Sequence, residues 1–291
     1  MRFTPAVPRC SSSFSGICLS KNWKESRSNT GFTGDDMERK IFLATFSDDA
    51  LKVIKKYGIG IEFNQFCISQ TLDEDKIDRT IGAMQKEMKE CGISDERGAI
   101  VHGPFTELCP QSIDPLFVDL AMKRFEQAYE GCRRLGLKRL VVHSGFIPLI
   151  YFPVWHVKQS VKFWSRFMED KPEDFTIYIE NVLDSEPESL TEIVSQIDDP
   201  RVKLCLDVGH ANVVTEPEYS VTDWIRIMGP RLGHFHLHNN DGSSDQHGPL
   251  TSGSLNMKEI LAAIDDYCDP SATLTIESRE CDESVVWLLK Q

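Results

Sequence analysis

Phe175-Thr176-Ile177-Tyr178-Ile179-Glu180-Asn181 and Val202-Lys203-Leu204-Cys205-Leu206-Asp207-Val208-Gly209-His210 share one form. Each is a short apolar run, too short for a helix, that closes on a carboxylate. Working outward, short apolar runs recur at Ile41–Phe46, Ile59–Phe63, Ala99–His102, Arg139–His143, Gly233–His238 and Thr273–Glu277, making eight runs. Longer stretches of helical period lie between them, among them Asp73–Cys91, Pro115–Leu135, Val154–Met168, Pro187–Ile197 and Met257–Tyr267. Strands alternating with helices give βαβ units and a parallel sheet. The runs are nearly continuous in apolar residues, as strands covered on both faces are. Eight units in a chain of 291 residues predict a closed (β/α)8 barrel in preference to an open doubly wound sheet. Neither GxGxxG after the first run nor GxxxxGK[ST] anywhere is present, so the dinucleotide and P-loop alternatives lose their signatures.

The barrel is expected to occupy residues 37–291. Residues 1–36 contain Ser11-Ser12-Ser13, scattered glycine and proline and no period. They read as a disordered lead, a transit peptide, or an extension upstream of a working start at Met37. Ile17-Cys18-Leu19 is too short a core for a secretory signal. The net charge is −13, and the lead is itself slightly basic, so the acidity lies in the barrel. Such a surface repels a phosphate backbone, which argues against nucleic acid as partner. Nine cysteines at irregular spacing, without a CxxC pair, fit a reduced, cytoplasmic thiol set. No apolar run is long enough to span a membrane.

The last six runs each deliver a metal-competent side chain to their carboxyl end: His102, His143, Glu180, Asp207, His236 and Glu277. In a barrel this is the rim where active sites sit. Singly, each has a plain structural role. His102 and His143 can bond backbone carbonyls, Glu180 or Glu277 can pair with a cation such as Arg279, and Asp207 can cap the next helix. Together they would bury several charges on one rim, at several kcal/mol each, unless a cation compensates them. His210 follows Asp207 by three residues. Asp245-x-His247 puts two further donors on one face of extended chain, and His236 and His238 likewise share a face, so spacing does not choose between them. Phe105, Phe146 and Trp155 fall just beyond strand ends, where they wall a pocket or simply pack.

The ordered set His, His, Glu, Asp-x-x-His, His, Asp-x-His, Glu resembles the xylose-isomerase-like barrel superfamily, from about residue 40 to the end. That superfamily includes sugar isomerases and epimerases and also zinc-dependent apurinic endonucleases. The resemblance implies that Glu180, Asp207, His236 and Glu277 hold one divalent ion (Mn, Mg, Co or Zn) and that His210 contacts substrate. In the nuclease branch it implies three zinc ions: His102 and His143 on one, Glu180 bridging to a second held by Asp207, His236 and Glu277, and His210, Asp245 and His247 on the third. Ala44-Thr45-Phe46-Ser47 lacks the glycine- and histidine-containing opening of the nucleases, and no arginine adjoins Asp245. The expected activity is therefore proton transfer beside a carbonyl in a sugar or sugar phosphate, with Glu180 and Glu277 as acid and base. A multinuclear zinc phosphoester hydrolase is the alternative. The expected partner is a small carbohydrate, and a homo-oligomer is compatible with the sequence.

Overall fold

The computed structural model describes residues 39–47, 49–95 and 98–291; the expected lead lies outside them. Eight parallel strands close in sequence order: β1 Ile41–Ala44, β2 Gly60–Phe63, β3 Ala99–His102, β4 Arg139–His143, β5 Thr176–Glu180, β6 Val202–Asp207, β7 Leu232–Leu237 and β8 Thr273–Ile276. This is the expected (β/α)8 barrel. Nine α-helices are described: α1 Ala50–Tyr57, α2 Ile77–Glu90, α3 Pro115–Leu135, α4 Pro153–Met168, α5 Glu188–Ile197, α6 Val208–Val214, α7 Val221–Met228, α8 Met257–Tyr267 and α9 Cys281–Leu288. The five helices named from the sequence differ from the structure only at their ends, and α1, α6, α7 and α9 were not among them. The run expected at Asp73–Cys91 begins as helix only at Ile77, after a 3-10 turn at Ser69–Leu72. His238 and Glu277 sit one residue past their strands.

Local chemistry sets the helix boundaries. Asp114 caps α3 by accepting from the Leu116 amide at 2.9 Å, Pro115 occupies the first helical position, and Gly136 closes the helix in the left-handed region. Ser220 and Asp223 form a reciprocal capping box on α7.

Alternation along the strands divides the side chains into two populations. Leu43, Ile61, Val101, Val142, Ile179, Leu206, Phe235 and Ile276 belong to the main core, which includes helix residues such as Phe125, Trp164 and Trp224. Phe42, Ile100, Val141, Tyr178 and Cys205 form a separate apolar cluster. Two residues further along these strands, on the same face, come His102, His143, Glu180 and Asp207. Register keeps these donors level: His143 pairs with Glu180 and Asp207 with His236.

Candidate metal centre and active site

Glu180 lies at the middle of the candidate site. Its Oε2 is 3.2 Å from His102 Nε2 and 3.4 Å from His143 Nε2. Its Oε1 is 3.1 Å from His236 Nδ1 and 3.5 Å from His210 Nδ1. His236 Nδ1 also faces Glu277 Oε2 at 3.7 Å and Asp207 Oδ2 at 3.9 Å. A second concentration lies beside it, where Asp245 stands 3.0 Å from His247, 3.4 Å from His210 and 3.5 Å from His238. The donor atoms gather into adjacent sets, including His102–His143–Glu180, Glu180–Asp207–His236 and His210–His238–Asp245–His247. All nine residues expected from the sequence are thus brought to one rim. The two histidines that spacing left open separate: His236 faces Glu180, while His238 bonds Asp207 Oδ1 at 3.0 Å and joins the Asp245 set.

Asp207 combines both readings that the sequence allowed. Its Oδ1 caps α6, accepting from the His210 amide at 2.7 Å. Its Oδ2 is fully buried and has no hydrogen-bond partner. The histidines carry a related signal. His102 Nδ1 lies 2.9 Å from the Gly103 carbonyl, His210 Nδ1 3.0 Å from the Asn181 carbonyl, and His247 Nδ1 2.8 Å from the Glu277 carbonyl. In each case the other nitrogen faces a carboxylate. His236 faces carboxylates on both sides, Glu62 and Glu180. A neutral imidazole has one N–H and one lone pair. Four rings with an oxygen acceptor at both nitrogens therefore need either four extra protons or cations in place of them. Together with the orphaned Asp207 oxygen, this donor set fits divalent metal.

The titration tendencies follow the same geometry. Burial opposes charge on His210, but Asp207, Asp245 and Glu180 raise it to about 10. Burial likewise opposes charge on His247, which Asp245 and Glu277 raise to about 9. Burial would raise Glu180, yet His236 and His143 hold it well below the carboxylate range. Glu277 goes the other way: burial pushes it up, and Glu62, Glu180 and Asp207 add to the effect. His143 is driven down to about 3 by burial, and it stacks on Phe105 with ring centroids 4.3 Å apart.

Glu62 was not singled out in the sequence. It sits inside β2 and is fully buried. Oε1 accepts from His236 Nε2 at 3.0 Å, and Oε2 from His234 Nε2 at 3.0 Å. Thr275 also donates to it, and Thr273 bonds the far nitrogen of His234 at 2.6 Å. The carboxylate fixes the His236 tautomer and turns Nδ1 toward the donor set. A charged residue inside an apolar run, and His234 on the same face as His236, were the available signals.

Phe105 and Phe146 line a cavity beside His143, as expected of a pocket wall. Trp155 instead braces a loop, donating to the Gln111 carbonyl at 2.8 Å. The seven described cysteines are unpaired, and six of them are buried. No helix among the described residues is long and apolar enough to cross a membrane.

A family model described as xylose isomerase-like TIM barrel matches residues 51–290. An uncharacterized protein of Methanocaldococcus jannaschii is 30% identical over 196 residues, covering 64% of this chain and 66% of its own. A probable endonuclease 4 of Metamycoplasma arthritidis is 22% identical over 186 residues, covering 57% and 64% respectively. The match thus spans just under two thirds of the length of either relative. Among solved structures, a D-tagatose 3-epimerase-like protein superposes with a TM-score of 0.68 at 23% identity, covering 86% of this chain and 96% of the other.

Proposed function

The chain belongs to the xylose isomerase-like TIM barrel family, and on that footing we propose that it is a divalent-metal-dependent sugar or sugar-phosphate isomerase or epimerase. The observation that carries the metal requirement is the set of four histidines with oxygen acceptors at both ring nitrogens. Glu180, Asp207, His236 and Glu277 would hold the ion. A divalent cation there supplies a Lewis acid for neighbouring substrate oxygens and the carbonyl between them.

The chain's own residues divide the remaining work. Glu180 and Glu277 flank His236, and their surroundings push their proton affinities in opposite directions. Such a pair serves as base and acid: the ionised Glu180 takes the proton from the carbon beside the carbonyl, and Glu277 returns one. His210, anchored through Asn181 and aimed at Asp245, orients a substrate oxygen. The structural likeness to a D-tagatose 3-epimerase-like protein supports this reading.

A second reading, a trinuclear zinc phosphoester hydrolase, draws on one specific observation: the donors fall into adjacent sets joined through Glu180 and Asp207. The experiment counts ions. Glu180→Ala and Asp207→Ala should each lose most bound metal after purification without chelator. His102→Ala and His247→Ala should keep one tightly held ion and part of the activity. Solvent deuterium should enter a ketose, aldose or sugar phosphate. If His102→Ala and His247→Ala each lose about one zinc with nearly all turnover, and abasic-site duplex is nicked without deuterium exchange on any sugar, the hydrolase reading replaces the isomerase.

A further inference from the structure

The rim loops enclose more than the donor cluster. The segment between β3 and α3 and the segment between β4 and α4 are fastened to each other. Gln111 donates to the Gly145 carbonyl, and Trp155 donates to the Gln111 carbonyl. They approach so closely that a Cβ on Gly145 would lie 2.8 Å from Pro110 Cδ and 3.1 Å from the Leu108 carbonyl oxygen. Each segment also holds a non-glycine residue in the left-handed region, Glu107 at φ 61° and Leu149 at φ 67°. Strain of this kind persists where surrounding structure imposes it, often at ligand sites.

Between these loops and Val182–Leu183 lies a cavity of about 460 Å³, a size typical of small-molecule pockets. His143 is part of its wall, so the cavity borders the Glu180 donor set through that ring. The rest of the wall is largely apolar, with Phe105, Leu108, Phe117, Ile147 and Leu183 prominent. Phe105, Phe117, Ile147 and Leu183 are exposed to solvent. A bare sugar can rest one C–H face on such a wall, but its hydroxyl groups would leave the rest of the apolar lining unmatched. Among the described residues lining the cavity there is no lysine or arginine, and Glu107 is the acidic residue among them. That composition repels a phosphate.

We infer that this cavity is a subsite for a flat apolar or aromatic substituent, so that the substrate is a sugar derivative carrying such a group. The sugar half of this assignment rests on the isomerase/epimerase reading of the donor cluster. The substituent half rests on the cavity alone. The ring of the substituent enters beside Phe105, which already stacks on His143, and aromatic neighbours add to the energy of apolar burial.

The test compares matched p-nitrophenyl and methyl β-glycosides of glucose, galactose, mannose and xylose, titrated calorimetrically into manganese-loaded full-length protein. In at least one pair the aryl glycoside should bind tenfold or more tighter than the methyl glycoside. The double substitution Phe117→Ser with Leu183→Ser should reduce that gap to threefold or less. Both side chains are partly exposed, and an unchanged melting temperature would establish that the fold is intact. Equal affinity within every pair overturns the subsite, as does a gap that survives in the double variant, or glucose 6-phosphate binding more tightly than every aryl glycoside. Binding is read without turnover. Tight aryl binding with no solvent exchange on any sugar would remove the proton-transfer reading and leave the subsite standing.

Discussion

Glu62 holds two histidines with one carboxylate, and neither partner is replaceable by solvent because all three are fully buried. Removing its charge should be felt at the far nitrogen of His236. Glu62→Gln is expected to weaken metal binding roughly 10- to 100-fold, the usual cost of losing a carboxylate behind a ligating histidine, with the far-ultraviolet circular dichroism unchanged. An affinity for cobalt or manganese within twofold of wild type would show that His236 is oriented without it. This residue also marks where sequence reading stopped. Strand-end donors such as Glu180 and Asp207 were legible because six successive runs close on metal-competent side chains, although each alone has a plain structural role. Glu62 stands within its run, followed by Phe63, and its charge there signals a buried partner without saying which one. Its role depends on β2 lying across the interior from β7, which is a property of closure. His234 was more accessible, since it alternates with His236 and His238.

At the scale of elements, the join between β6 and α6 does the most positioning. Asp207 ends the strand, caps the helix and presents its second carboxylate oxygen to the site. Gly209, in the first turn of α6, leaves room for His238: a Cβ there would stand 1.9 Å from His238 Cε1 and 2.3 Å from Nε2. Gly209→Ala should therefore displace the His238 ring from Asp207 and Asp245. The overpacking costs about 1–3 kcal/mol of stability, visible as a lowered melting temperature. If the Asp245 set takes an ion, metal content falls as well. A structure of the variant with His238 in place and an unchanged melting temperature would contradict this. The helix pattern located five of the nine described helices within a few residues, α6 not among them. It could not foresee that the glycine of an ordinary Asp-Val-Gly-His sequence is demanded by a histidine from the following strand.

For the whole molecule, the buried His156–Asp184 pair ties stability to pH. His156 Nε2 and Asp184 Oδ1 face each other at 3.6 Å, and neither has a hydrogen-bond partner. Burial lowers His156 to about 4. Burial raises Asp184 to about 6, against the Ser144 hydroxyl and the Val182 amide that favour its ionised form. The signs oppose each other. A depressed histidine contributes stability that is full above its unfolded value near 6.5 and is lost as pH falls toward 4. A raised aspartate contributes stability that is full below its unfolded value near 3.9 and is lost as pH rises through 6. In the wild type these slopes largely cancel. Denaturant titrations between pH 4 and 6.5 should show stability falling with rising pH in His156→Phe relative to wild type, and rising in Asp184→Asn, each by about 2–3 kcal/mol across the window. Parallel pH profiles for the three proteins would remove the pair from this account. The fold itself was readable from eight repeats of one pattern, because closure needs only that count and short connections. This pair was not, because its partners come from α4 and the segment after β5 and meet only in the finished barrel. One feature of that barrel governs traffic. The apolar cluster of Phe42, Ile100, Val141, Tyr178 and Cys205 lies directly beneath the donors, so the donor cluster is closed on that side. Under the proposed function, ions, protons and substrate would all enter and leave through the same mouth, and a substrate seated there would act as the stopper that retains the metal behind it.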